Sequence, residues 1–374
     1  MWLKKIDELW EQSSLIWLYG VRRVGKTYLC RSIRGIEYFD CELPGVRRML
    51  DDPEGFFKEL KGKKVVIDEI HRLGNPSEVL KIATDYFPDT KVIATGSSTL
   101  GSSAKFRDTL TGRKKNLRLV PMIWQDLVDF GNTSLTRRFL YGGLPHLFLS
   151  GSVPEREFQD WMDDFWAKDI QELFRIERRY SFQKCIELIF TQSGSIFEAT
   201  RFSKPCEVSR ETVNNYLKVL EATSIVNIIR PFSSYKPSEI ISAPRVYAFD
   251  TGFVCSWKGW EKLRQEDLGI LWEHFVLNEI YGNLQTEKVY YWRDKRGHEV
   301  DFVMTPKKGM PIAIECTWTY DGFEPKNLIA FRKRYPDGKN IVVAHNVDRA
   351  FSQRYENISV KFISLPALIK ESEQ

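Results

Sequence analysis

The chain has 374 residues, 43% of them hydrophobic, with 55 Lys and Arg against 50 Asp and Glu for a net charge of +5. That length suggests two or three domains, and the mild charge permits nucleic-acid binding without arguing for it. The six cysteines (30, 41, 185, 206, 255 and 316) form no C-x-x-C pair and no histidine clusters near them, which argues against structural zinc and a disulfide framework and for free thiols in a reducing compartment.

No apolar run reaches the ~18 residues of a membrane span. The N-terminus, Met1-Trp2-Leu3-Lys4-Lys5-Ile6-Asp7, has no signal-peptide core and predicts an amphipathic helix. The expectation is a cytoplasmic protein with no membrane partner.

The first strong signal follows that helix. Leu15–Tyr19 predicts a buried strand, Lys26–Arg31 the first turns of a helix, and between them Gly20-Val21-Arg22-Arg23-Val24-Gly25-Lys26-Thr27 matches the phosphate-loop pattern G-x-x-x-x-G-K-[ST]. Glycines let the backbone curl so that its N–H groups face phosphate oxygens, and the helix N-terminus adds partial positive charge. Lys26 is placed to reach the β- and γ-phosphates of ATP and Thr27 to hold Mg²⁺. Arg22 and Arg23 are either a solvated loop face or contacts to a partner chain or the nucleotide ribose.

Lys63–Ile70 predicts a second strand ending in Asp68 and Glu69. Carboxyl ends of parallel strands line the ligand crevice of an α/β sheet. Asp68 is the expected second Mg²⁺ contact and Glu69 the group that polarises attacking water, a pairing that favours hydrolysis over binding alone. Lys91–Ser98 predicts a third strand; Thr95, Ser97 or Ser98 at its end can contact the γ-phosphate or the water, Ser97 being the choice for the nucleotide site.

The chain resembles the AAA-type ATPases of bacteria and archaea that carry a C-terminal domain of once-unknown function. The resemblance rests on G-V-R-R-V-G-K-T (20–27), Y-F-D (38–40), V-V-I-D-E-I-H (65–71), A-T-G-S-S (94–98), L-T-G-R (110–113) and G-G-L-P (142–145). It continues through T-V-N-N-Y-L-K-V-L-E (212–221), Y-A-F-D-T-G (247–252) and Y-Y-W-R-D…E-V-D-F (290–302), and so spans nearly the whole chain. It implies an α/β fold: a P-loop parallel sheet (1–130), a helical lid (131–180), a winged helix (181–250) and an α/β restriction-endonuclease-like domain (251–374). Arg113 matches the family's L-x-G-R arginine, which implies neutralisation of γ-phosphate charge within the chain or from a neighbouring subunit; the alternative is an ordinary surface arginine.

Tyr180–Ser233 has the rhythm of a winged helix, with helical spacing in Phe182–Phe190, a short helix from Ile196, a helix capped by Ser209, and a wing strand Ile225–Ile229. Arg210, Asn214, Asn215 and Lys218 fall on the exposed side of the Ser209-capped helix, which either enters a DNA major groove or packs between domains.

Leu271–Ile280 predicts a periodic helix; Tyr290–Arg293, Glu299–Met304 and Ile312–Thr317 predict strands. By resemblance to the restriction-endonuclease-like pattern, Asp301 and Glu315 are candidate ligands of a second Mg²⁺, joined by Glu273 or Glu279. Thr317 stands where that pattern has lysine, and a hydroxyl supplies no positive charge; Lys326 or another nearby lysine is the candidate substitute. The resulting expectation is an ATPase whose nucleotide state is coupled to DNA through the winged helix and a nuclease-like domain. Its alternatives are an ATP-gated protein-interaction module and a metal-dependent DNA nuclease.

Overall fold

The computed structural model describes residues 1–96, 106, 109–150, 155–174, 176–233, 243–286, 288–305 and 309–373. Ser97 and Ser98 lie outside them. No described helix is long and apolar enough to cross a membrane.

The N-terminal part is a parallel five-stranded sheet in the order β2-β3-β4-β1-β5. Its strands are β1 (Leu15–Tyr19), β2 (Ile36–Asp40), β3 (Lys64–Asp68), β4 (Lys91–Thr95) and β5 (Lys114–Arg118). β1, β3 and β4 are near-continuous apolar runs because helices cover both faces of the sheet. The N-terminal helix Trp2–Gln12 buries Trp2, Ile6 and Trp10, spaced four residues apart on one face. Because β4 lies between β1 and β3, the residue ending it, Thr95, stands between the phosphate loop and Asp68.

After β5 the chain is helical: Trp124–Asp129, Leu135–Tyr141, Pro145–Phe148, and Glu155–Phe165 continuing through a π-turn (Trp166–Ile170) into Gln171–Phe174. The helix Arg179–Thr191 follows, then β6 (Ser195–Ile196), Ala199–Ser203, Arg210–Ala222, β7 (Val226–Pro231) and β8 (Arg245–Ala248). Ile196 was expected to start a helix; it is strand instead, because it pairs with Arg245. β8 lies antiparallel to both β6 and β7.

The C-terminal part adds β9 (Val289–Arg293), β10 (Glu299–Met304), β11 (Ile312–Thr317), β12 (Asn340–Ala344), β13 (Phe351–Tyr355) and β14 (Ile358–Ile363). These do not form a separate sheet. β7 pairs in parallel with β9 through Arg230–Tyr290 and Pro231–Tyr291, giving one nine-stranded mixed sheet, β13-β14-β12-β11-β10-β9-β7-β8-β6.

The helix Gln265–Leu284 lies at the junction of all these parts. The expected periodic helix has no solvent stripe along its middle: every residue from His274 to Gly282 is buried. Its middle is buried all round because it has a neighbour on every side, and the polar His274, Asn278 and Glu279 are buried with the apolar residues. Asn278 Nδ2 donates to Pro121 O just beyond the first sheet (2.7 Å), Trp272 Nε1 donates to Val343 O of β12 (3.0 Å), and Phe275 packs on Phe139 of the lid. A side chain at Gly282 would bring a Cβ to 2.9 Å from both Val120 and Ile123, so this close approach requires glycine.

A second tie is the buried pair of Arg138, on the lid helix Leu135–Tyr141, with Asp250 (3.6 Å). Asp250 also accepts from the backbone N–H of Gly143 (2.6 Å) and Gly252 (2.8 Å), and Arg138 donates to Met122 O and Thr251 Oγ1. With those bonds satisfied both charges tolerate burial.

His274 links the same helix to the preceding layer. Its Nε2 meets Ser193 Oγ at 2.6 Å, its Nδ1 meets Ile270 O at 2.7 Å, and Ser193 Oγ accepts from Ala248 N. Burial lowers its pKa from 6.5 to about 4. The folded state therefore resists protonation: this stability is complete above pH 6.5 and declines as pH falls toward 4, by up to about 3 kcal/mol. Denaturation series at several pH values are expected to show a shallower loss over that interval in His274→Gln than in wild type. Parallel profiles would refute the assignment.

Candidate nucleotide site

Gly20 leaves β1 with φ +154°, and an added Cβ there would lie 2.2 Å from Leu119 O. Gly25 has φ +106° and Arg23 φ +60°. The loop is thus turned by residues in the left-handed region, and it delivers Lys26 to the start of its helix. Lys26 Nζ donates to Gly20 O (2.9 Å) and Val21 O (3.2 Å), which holds the ammonium within the curl. Burial lowers its pKa, against the raising influence of Glu69, Asp169 and Asp68.

The structure brings Thr27, Asp68 and Glu69 to the same end of the sheet. Thr27 Oγ1 donates to Asp68 Oδ2 at 3.0 Å. Tyr38 OH donates to the same oxygen and Thr95 Oγ1 to Asp68 Oδ1. Two hard oxygens this close at the mouth of a phosphate loop suit Mg²⁺, which takes one or two protein ligands and completes its shell from phosphate and water. Glu69 turns off β3 in the left-handed region (φ +52°), and its N–H donates to Thr95 Oγ1 at 3.1 Å. Its Oε2 lies 3.1 Å from His71 Nδ1. Burial alone would raise the Glu69 pKa, but the His71 hydrogen bond and the charges of Lys26, His71 and Arg22 overcome it and lower the pKa overall. Glu69 therefore stays a carboxylate, the state a general base needs.

Beside the loop opens a cavity of about 1100 Å³. Gly20, Gly25, Lys26, Thr27 and Glu69 form its phosphate end, while Pro145, His146 and Leu149 from the lid and Ile225 line other parts of its wall. Burial lowers the pKa of His146, so its ring is neutral at pH 7.

Arg22 and Arg23 each pair with an aspartate of the following helices, Arg22 half-buried and Arg23 exposed. Arg22 Nε donates to Asp169 Oδ2 (2.7 Å), Arg23 Nη2 donates to Asp164 Oδ2 (2.5 Å), and Trp161 Nε1 donates to Arg22 O (3.2 Å). Asp169 sits in the π-turn, whose wider spacing interrupts the lid helix where it meets the loop. Burial raises the Asp169 pKa, with Arg22 opposing. Asp164, Asp169, Tyr38 and His71 received no role from the sequence. Tyr38 and His71 lie within stretches that carry the family resemblance; for the two aspartates the available signal was an acidic lid helix set against two arginines in the loop.

Arg113 occupies the opposite end of the sheet. It immediately precedes β5, whose first residue Lys114 pairs with Leu15 at the start of β1, whereas the phosphate loop follows the end of β1. Four residues of strand, at roughly 3.3 Å each, separate the two ends. Arg113 instead grips Asp85 with two bonds (2.7 and 3.2 Å), so an in-chain contact to the γ-phosphate is not made.

Asp301 and Glu315 do come together, and Glu273 joins them. Glu279 does not: it accepts from Trp124 N and from Asn283 Nδ2 (2.9 Å). Lys326 pairs with Glu324 on the surface and supplies no charge to the cluster. The cation among these carboxylates is Arg245, with Nη1 at 3.0 Å from Glu273 and 3.7 Å from Asp301. No group of three or more His, Cys, Asp or Glu side chains among the described residues is arranged to hold a metal. The expected second Mg²⁺ site thus does not fit this structure.

The parallel sheet with a glycine-turned loop after β1 is the frame of an α/β fold of the P-loop kind. Consistent with this, residues 12–128 match the model of a family described as an AAA domain. Residues 132–264 and 268–368 each match a family described as a domain of unknown function. Uncharacterized proteins of Mycobacterium bovis and Mycobacterium tuberculosis are each 25% identical over 320 residues, covering 82% of this chain and 71% of theirs. Among solved structures, a DNA polymerase III gamma subunit-related protein from Thermotoga maritima is similar at 12% identity, with a TM-score of 0.27, covering 60% of this chain and 97% of that one. Cdc6p from Pyrobaculum aerophilum is similar at 12% identity, with a TM-score of 0.28, covering 69% of this chain and 92% of that one.

The loop geometry makes a direct demand on Gly20. Gly20→Ala forces either Leu119 or the loop to move, and is expected to weaken nucleotide binding at least tenfold in equilibrium titration while the chain remains folded by circular dichroism. Unchanged affinity would show that the loop tolerates the shift.

Proposed function

We propose that this protein binds ATP with Mg²⁺ between the phosphate loop and the lid and hydrolyses it. The observation that carries this reading is the convergence of Lys26, Thr27, Asp68 and Glu69 at one end of the sheet, with Glu69 kept ionised by its neighbours. Lys26 binds and neutralises the β- and γ-phosphates. Thr27 and Asp68 hold Mg²⁺, which supplies charge neutralisation across the phosphates. Glu69 accepts a proton from water, and Thr95 and His71 fix its position. Arg113 has a role at a nucleotide only if presented to a neighbouring subunit's site.

The reading extends to DNA. The succession Arg179–Thr191, β6, Ala199–Ser203, Arg210–Ala222, β7 and β8, with β8 antiparallel to its two neighbours, has the order of a winged helix. Its third helix is capped by Ser209, which accepts from Thr212 N (3.1 Å), and it leaves Arg210, Asn215 and Lys218 exposed. Those side chains suit phosphate and base-edge contact. A protein partner captured in the ATP state is the second reading, supported by the exposed Tyr28 beside the nucleotide cavity. A nuclease reading gains no support, because an arginine already occupies the acidic cluster.

The test is Mg²⁺-dependent ATP hydrolysis with and without duplex DNA. Lys26→Ala and Glu69→Gln are each expected to lower turnover by about 100-fold or more, with Glu69→Gln retaining ATP binding. DNA is expected to raise wild-type turnover, with duplex affinity falling steeply as salt increases. ATP binding without turnover in wild type would overturn the hydrolytic reading. Turnover indifferent to DNA, with no duplex affinity, would favour the protein partner.

A further inference from the structure

Arg245 lies on β8, while the carboxylates around it come from three other elements: Glu273 from the helix Gln265–Leu284, Glu299 and Asp301 from β10, and Glu315 from β11. Its side chain is only 9% exposed. Two features of the sheet aim the acids at one point. The β9–β10 register shifts between Val300 and Val303, which places Asp301 in a bulge, and bulges re-aim side chains. One step beyond the Phe302–Ile314 pair, Asp301 then accepts from Cys316 N at 2.8 Å and lies beside Glu315. Tyr247 OH donates to the same Glu273 oxygen as Arg245 does, at 2.5 Å, and accepts from Arg245 Nη1, and the Arg245 guanidinium lies over the Tyr291 ring (5.4 Å).

The cluster has one acceptor to spare. Glu315 is 8% exposed, yet its Oε1 has no hydrogen-bond partner. Burial raises the pKa of Glu273 to about 7, with Asp301 adding to the rise and Arg245 opposing it; burial and Asp301 likewise raise that of Glu315. More acids than cations meet here: Glu315 keeps its proton in a hydrogen bond to Asp301, and one oxygen among them is unspent. An ordinary buried ion pair has no such surplus, because a carboxylate crowded among others without compensation is costly. Convergent hard oxygens with a free acceptor are what a divalent cation requires.

We propose that Arg245 stands in the position of a divalent cation: the wild-type chain takes no metal among Glu273, Asp301 and Glu315, and withdrawing the guanidinium turns the cluster into a site for Mg²⁺ or Mn²⁺. The arginine makes this acidic centre a tie between β8 and the C-terminal strands in place of a metal centre.

Mn²⁺ binding to nucleotide-free protein, followed by electron paramagnetic resonance, tests this independently of the ATPase reading. Wild type is expected to bind no Mn²⁺ that Asp301→Asn removes. Arg245→Ala is expected to gain one Mn²⁺ per chain, lost again in Arg245→Ala/Asp301→Asn, and to melt at higher temperature when Mn²⁺ is added. Arg245→Gln, which keeps most of the side-chain volume, repeats the test should the alanine variant not fold. Wild-type binding abolished by Asp301→Asn would overturn the proposal, as would a folded Arg245 variant that binds no Mn²⁺.

Discussion

The helix Gln265–Leu284 has almost no face to spare for water, and the rest of the molecule is arranged around that constraint. Its Asn278 meets the exit of the first sheet, its Phe275 the helix Leu135–Tyr141, its His274 the layer before β8, its Glu273 the Arg245 cluster and its Trp272 the C-terminal strands. A polar group buried on such a helix must find its partner in another part of the chain or cost several kcal/mol. Each of these contacts is therefore both a packing requirement and a positional specification, and the phosphate loop is indirectly registered against the far sheet through it.

The phosphate loop is connected to this frame through the helix Glu155–Phe165 and the π-turn that follows it. Asp169 and Asp164 grip the two loop arginines, Trp161 binds the loop backbone, and Trp161 also stacks on Phe249, next to the Asp250 that is paired with Arg138. A phosphate group entering the loop would compete with the aspartates for Arg22 and Arg23. Side chains in contact thus run from the loop arginines to Phe249 and Asp250, just after β8.

The parts legible in the sequence were those whose determinants are neighbours in it. Gly20–Thr27 and Asp68–Glu69 declare themselves because a tight loop and a strand end are local objects with strong residue requirements. Asp169 could not be assigned, since its partner Arg22 is 147 positions away and an acidic helix looks like any solvated one. Asp301 and Glu315 were correctly grouped, yet the sequence offered no sign that their counter-ion would be Arg245, reached across a strand pairing. Arg113 was legible only as a set of alternatives: the parallel register places it before β5, away from the phosphate loop, which removes the in-chain contact and leaves a surface arginine or one presented to a neighbouring subunit. The middle of the helix Gln265–Leu284 suggested a periodic face because only its apolar spacing was visible; the polar residues between are buried as well.

The pairing of β7 with β9 has a consequence for the order in which the protein is made. β7 and β8 leave the ribosome before the helix that carries Glu273 and well before β9, β10 and β11. Until β9 has emerged, β7 presents an open edge, and until residue 315 has emerged, Arg245 has only part of its set of partners. Domains commonly settle one after another during synthesis. Here the middle of the chain must wait for its end, because β7 finds its second neighbour only in β9.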